Sequence, residues 1–463
     1  MAKKSTVTIM FILATVAVVS CGGSQEPSGL PEPTATISLP AFTVSTSEPT
    51  APSTPLCAEV EIPSSSPSPQ IPDQTGARSG PYIMAHFMPW YEAPPIASSW
   101  GQHWTMNHYR TETVGTDGTR PIASHYYPLT GPYDSMDEDV LAYQVLLMKL
   151  SGIDGAIVDW YGHTSRSDYR SSHVRTAVLF QYLQQAGLNF AICYEDQTVG
   201  HLINDGRLST ENAIARAQED MIAIQERWLQ DETYLRIDGQ PVLLNFGPQY
   251  FRTNAEWNEI FSVLETQPLF FTLDSRIGSS AAGAFNWPPM HESWEGVLSM
   301  SALKMQLSNF YLRASYWEHF VASAYPGFHD IYAQAGVGQS YGFLDADEGE
   351  TFATTLEQAF THNPDIVQLV TWNDYGEGTI IEPTQEFGYQ YLEMVQEARR
   401  QWVDPDFPFT ADDLRIPLQI LELRRSHAGD AEIGALLDSA YNLALNGDTS
   451  SAAALLQCIE SLP

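Results

Sequence analysis

Basic residues are scarce in this sequence: 22 Lys and Arg stand against 56 Asp and Glu, a formal net charge of −34. Nucleic acids and polyanionic glycans recruit basic partners, so both are excluded as ligands. Cysteine is scarcer still. Cys21 and Cys57 come early, Cys193 sits in an apolar run and Cys458 lies near the end. That spacing carries neither a zinc signature nor a dense disulfide framework. A bridge between Cys57 and Cys458 in an oxidising compartment stays open. The histidines His86, His103, His108, His125, His163 and His329 form no HExxH or other short metal spacing, so no metal and no cofactor are expected. The apolar run Val7 to Val19 is too short to span a bilayer.

That run nevertheless has a use. Lys3 and Lys4 precede it and the small Ser20 follows it, the order of a secretory signal over residues 1–20. The segment Ala17-Val18-Val19-Ser20-Cys21-Gly22 resembles the lipobox of bacterial lipoproteins, which implies that Cys21 carries lipid and tethers the chain to a membrane. An ordinary cleaved signal with a stray cysteine is the alternative. From there to residue 80, Pro, Ser and Thr dominate and no basic residue precedes Arg78. Such a stretch buries too little to offset its ordering entropy, so residues 21–80 read as a disordered tether. The expected location is the bacterial cell envelope, outside the cytoplasm.

After residue 80, short apolar runs alternate with longer stretches of helical spacing, the pattern of repeated βα units. The expected strands are Tyr82 to Trp90, Gly155 to Tyr161, Asn189 to Glu195, Val242 to Gly247, Leu269 to Asp274, Gly283 to Trp287, His319 to Tyr325 and Ile366 to Trp372. Between them, Ile214, Ala217, Met221, Ile224 and Trp228 form one apolar stripe, and Gly152 and Gly187 stand where helices end. Asp238-Gly239 reads as a type I′ hairpin turn before the fourth strand. Eight such units close into a (β/α)8 TIM barrel, an α/β fold, over residues 81–405; a doubly wound open sheet is the rival. Residues 406–463 read as a small C-terminal helical appendage, with Ile433, Leu436, Leu437, Ala440 and Leu443 on one face.

In such a barrel, chemistry belongs just beyond the strand C-termini. The run leaving the last strand is Val370-Thr371-Trp372-Asn373-Asp374-Tyr375-Gly376-Glu377-Gly378-Thr379-Ile380-Ile381-Glu382-Pro383. Two carboxylates three apart supply what cleavage of a glycosidic bond needs: a proton donor, and a base or nucleophile. Equally, Asp374 could cap the next helix and Glu377 could be merely solvated.

This run resembles the Asn-Glu-Trp-His-Glu-Gly motif of glycoside hydrolase family 99, the endo-α-mannosidases, and the Trp-Asn-Asp-Tyr-Gly-Glu motif of family 71, the α-1,3-glucanases. Met84-Ala85-His86-Phe87-Met88 is similar to the first strand of family 71. Pro89-Trp90-Tyr91, Trp100-Gly101-Gln102-His103-Trp104 and Tyr127-Pro128-Leu129-Thr130-Gly131-Pro132-Tyr133 are similar to family 99. The resemblance covers roughly residues 81 to 400. It implies that Glu377 is the general acid/base and Asp374 its partner, which in family 99 is a glutamate that takes the proton from the sugar 2-hydroxyl. Asp374 is one carbon shorter, and in family 71, which has Asp, hydrolysis inverts; stereochemistry stays open.

Glu195 matches a glutamate that lines the cleft in family 99, and Asp159 holds the equivalent place after the second strand. Trp90, Tyr91, Trp160, Tyr194, Trp372, Asn373, His86 and His329 complete the expected substrate-binding set, aromatic faces suiting the C–H faces of sugars. The expectation is a monomeric, endo-acting glycoside hydrolase for a neutral α-linked polysaccharide, mannan or glucan. A glycan-binding lipoprotein on a catalytically inactive barrel is the rival.

Overall fold

The computed structural model describes Cys57 and residues 80–462. The signal, Cys21 and all of the tether except Cys57 lie outside the described residues. Cys57 and Cys458 are both disulfide-bonded, whereas Cys193 is buried and free.

The barrel strands are β1 (Tyr82–Phe87), β2 (Gly155–Trp160), β3 (Asn189–Tyr194), β4 (Gln240–Asn245), β5 (Leu269–Leu273), β6 (Gly283–Phe285), β7 (Val321–Ala324) and β8 (Ile366–Leu369). Each pairs in parallel with its successor. Strand β8 returns to β1, with Tyr82 opposite Ile366 and Ala85 opposite Leu369. The sheet is therefore a closed barrel, and the open doubly wound alternative is set aside. Strands β1, β2 and β3 are buried along their whole length, because one face fills the barrel and the other meets helices.

Helices cover the outside: α1 (Glu138–Ser151), α2 (Tyr169–Ala186), α3 (Ala213–Ile224), α4 (Asn254–Phe261), α5 (Met300–Ala314), α6 (Glu350–Thr361) and α7 (Gln390–Trp402). Local chemistry sets their ends. The Asp137 side chain accepts from the backbone N–H groups of Asp139 and Val140 and starts α1, while Gly152 at φ 81° stops it. Gly187 does the same for α2 at φ 67°. The stripe after Ser209 buries Ala217, Met221 and Ile224 on α3, and Trp228 on the π-turn that follows. Asp238 and Gly239 both have positive φ, as a type I′ turn requires, and join the two-residue strand Arg236–Ile237 to β4. Between β5 and β6, residues 274–282 run as turns rather than as a helix.

The appendage is three helices, α8 (Ile416–Ser426), α9 (Ala431–Leu445) and α10 (Thr449–Glu460). Ile433, Leu437, Ala440 and Leu443 of α9 are buried, with Leu436 half-buried beside them. Arg424 bridges Asp139 of α1 and Asp438 of α9, at 2.8 and 2.7 Å. Among the described residues, no helix is long and apolar enough to cross a membrane.

Candidate active site

The loop leaving β8 is fastened before it offers any chemistry. Thr371 Oγ1 accepts the Asp374 N–H at 2.7 Å, Asp374 Oδ1 accepts the Glu377 N–H at 3.0 Å, and Gly378 N–H reaches the Asp374 carbonyl at 2.9 Å. Residues 374–378 are thus one tight turn, capped by the Asp374 side chain. Gly378 has φ +67°, and a Cβ there would lie 2.7 Å from the His329 carbonyl, so only glycine fits.

A second set of bonds ties this loop to its neighbours. Asn373 accepts from Met88 N–H at 2.8 Å and donates to Met88 carbonyl at 3.0 Å. The Tyr91 hydroxyl donates to the Asn373 carbonyl at 2.7 Å. Buried Glu382 accepts from the hydroxyls of Tyr133 and Tyr375 at 2.9 and 2.8 Å and from Gln144 at 2.7 Å. Charge-assisted bonds of this kind are the strong ones, and several converging on one carboxylate hold a loop in one geometry. Burial lifts Glu382 to about 7, against the pull of those donors.

The two carboxylates of the pair differ in environment. Asp374 is buried, and burial raises it to about 6, opposed by backbone N–H donors and by His103 nearby. Glu377 is half-buried. It is raised well above its usual value, first by desolvation and then by the charges of Asp374 and Asp330; hydrogen bonds from Trp287 and Tyr332 only partly offset this. Burial and the neighbouring charges thus favour the protonated form of Glu377, while backbone donors and His103 hold Asp374 closer to the ordinary carboxylate range. Burial also lifts Asp159, to about 8, with the charge of Asp374 adding to it. Glu195 is raised by burial, then by Asp159 and Asp196, and it feels Glu377 as well. The four carboxylates thus form one electrostatic group at the C-terminal mouth of the barrel.

The other expected residues separate into four kinds. Glu195 reaches the mouth, where Gln197 and Gln249 donate to its Oε2 at 2.9 and 3.0 Å. Trp90 is there too, half-buried and stacked on His103 with ring centroids 4.2 Å apart. His329 is half-buried, stacked on His125 at 3.6 Å, and its N–H holds the Glu377 carbonyl at 2.9 Å. Tyr91, Asn373 and Trp372 are buried and brace the loop that carries Asp374 and Glu377. Trp160 and Tyr194 are not brought to the mouth at all. Both are fully buried on the helix side of their strands, Trp160 bonded to His173 at 3.1 Å and Tyr194 to Asp220 at 3.1 Å. Successive strand residues face opposite ways, so once Asp159 and Cys193 point into the barrel their successors point out. His86 and Asp159 lie below the mouth, buried.

Sequence reasoning overlooked the residues that shape the mouth from other loops. Tyr161 bonds Asp159 and stands 6.4 Å from the Trp90 ring. Phe246 packs edge-on against Trp287 at 4.9 Å, and Tyr332 sits on the short helix Tyr332–Ala335. Only Tyr161 had a signal, the strand alternation that turns Trp160 away. His103 is positioned by Asp168, at 2.8 Å.

No family model matches the chain. It is similar to a glycoprotein endo-alpha-1,2-mannosidase-like protein of Danio rerio, 22% identical over 320 residues, spanning 63% of this chain and 69% of the relative. The like-named protein of Mus musculus is 22% identical over 281 residues, and the match covers 58% of that relative. Among solved structures, the GH99 endo-alpha-mannosidase of Bacteroides thetaiotaomicron superposes with a TM-score of 0.52 at 17% identity, over 69% of this chain and 97% of that one.

Proposed function

We propose that this family-99-like chain is a glycoside hydrolase, endo-acting on an α-linked neutral polysaccharide such as α-mannan or α-glucan, and held outside the cytoplasm by lipid on Cys21. The observation that carries the reading is the pair Asp374 and Glu377 on one braced turn, with the proton favoured on Glu377 and Asp374 held closer to the ordinary carboxylate range. Glu377 gives its proton to the glycosidic oxygen as the bond to the anomeric carbon breaks. Asp374 takes a proton from the attacking hydroxyl, either of water or of the sugar 2-position. One proton enters and one leaves, so the step balances. The strongly acidic chain supports a neutral polymer over a charged one.

General acid/base groups contribute about a hundred- to ten-thousandfold each. Glu377→Gln and Asp374→Asn should both lose turnover on the natural polymer while still binding oligosaccharide. A substrate with a good leaving group should partly rescue Glu377→Gln and leave Asp374→Asn inactive. Near-parental rates in both variants would move the chemistry elsewhere, with Glu195 and Asp159 next. A parent chain that binds oligosaccharides and cleaves none of the α-linked polymers would be a glycan-binding lipoprotein instead. The anchor has its own test: Cys21→Ala should release the protein from washed membranes.

A further inference from the structure

Beneath the carboxylate pair, three ligand-bearing side chains from three adjacent strands converge. They are His86 on β1, Asp159 on β2 and Cys193 on β3. One donor atom from each lies within 4.8 Å of the other two, and all three residues are buried. Asp159 and Cys193 are direct partners in the β2–β3 register. Both ring nitrogens of His86 and Oδ1 of Asp159 have no hydrogen-bond partner although they are buried, a state that proteins rarely leave uncompensated. The Cys193 sulfur is free.

We propose that His86, Asp159 and Cys193 bind a divalent cation of the zinc class at the floor of the barrel mouth. The donor set fits that ion: imidazole nitrogen, carboxylate oxygen and thiolate sulfur are its usual ligands, at about 2.0–2.3 Å. Those lengths give tetrahedral edges of about 3.3–3.8 Å, close enough to the observed spread for small side-chain rotations to complete the site. Hard cations such as magnesium and calcium prefer all-oxygen sites, and the sulfur selects against them. Charge agrees as well. A neutral imidazole, a carboxylate and a thiolate cancel a doubly charged ion, and the protons of the Asp159 carboxyl and the Cys193 thiol pass to solvent as the ion enters. Three protein ligands leave a fourth position for water. The ion would also give Asp159 Oδ1 the partner it lacks. No short sequence spacing announces such a site, because the barrel, not the local chain, brings its ligands together.

The site is tested by binding alone, so that its outcome does not depend on turnover. The full-length chain, stripped with chelator and dialysed, is titrated with zinc and with cobalt, the latter reporting thiolate ligation by its charge-transfer absorption. One equivalent per chain with that absorption is expected. Cys193→Ser should abolish the absorption, and Asp159→Asn or His86→Gln should weaken affinity by more than the roughly 10–100-fold that losing an outer partner costs. Circular dichroism checks that each variant is folded. Glu377→Gln should bind as the parent does, which separates this site from the hydrolase reading. Absence of stoichiometric uptake by the folded parent, or uptake unchanged in Cys193→Ser and His86→Gln, would overturn the proposal and leave the cluster to water.

Discussion

Asp374 and Glu377 share a turn; the first is raised to about 6, and burial and the charges of Asp374 and Asp330 raise the second well above its usual value. Activity should accordingly rise with pH as Asp374 ionises near 6 and fall again when Glu377 loses its proton. In Glu377→Gln the basic limb should vanish from the rescued rate, which a pH–rate profile on an activated substrate would show. Stability should move the other way. Asp374 and Glu382 bind protons more tightly folded than unfolded, so the stability they add is full below about 4, the range of free carboxylates. It is lost as pH climbs through about 6 and about 7. The thermal midpoint should therefore be higher at pH 5 than at pH 8, and Glu382→Gln should flatten the difference. The motif itself was plain in the sequence because its residues are contiguous. Trp160 and Tyr194 sit close to the rim in sequence, but strand alternation turns both to the helices.

The turn after β8 depends on a backbone shape more than on side chains. Gly378→Ala would force a left-handed residue to carry a Cβ against the His329 carbonyl. The expected cost is about 1–3 kcal/mol in chemical denaturation, with a loss of turnover larger than that loss of stability explains, since the same turn aims Glu377. Elements with strong local rules were legible: the eight strand cores, the glycine caps at Gly152 and Gly187, and the Asp238-Gly239 turn. The ladders end at Phe87, Tyr194 and Leu369, earlier than the apolar runs that continue to Trp90, Glu195 and Trp372, because those runs go on into the braced rim. The four-residue helix bearing Tyr332 has no periodicity to read, so that donor to Glu377 stayed hidden.

The C-terminal helices do more than decorate the barrel. Arg425 donates to the Thr130 carbonyl at 2.7 Å, on the segment whose Tyr133 clamps Glu382. Their buried faces hold Ile416, Ile420, Leu421, Ile433, Leu437 and Leu443, and each large aliphatic side chain is worth about 1.5–3 kcal/mol when fully buried. A chain ending at residue 405 should lose several kcal/mol of stability by that measure, visible as a lower denaturant midpoint. The amphipathic pattern predicted these helices. Their docking on α1 includes Arg424 meeting Asp139 across 285 residues of chain, which no local pattern encodes.

The register that sets Tyr82 against Ile366 makes the first barrel strand wait for the last. A chain emerging from its N-terminus holds β1 with one side unpaired until nearly all the rest has been made, and an unpaired strand edge invites pairing with other chains. The segment that finally closes the ring is followed at once by Asp374 and Glu377, so the barrel gains its seam and its reactive pair in the same event. A nascent or truncated chain stopping before residue 366 would be both sticky and inert. Under the proposed hydrolase reading, closing the ring would also complete the pair that cuts the glycan.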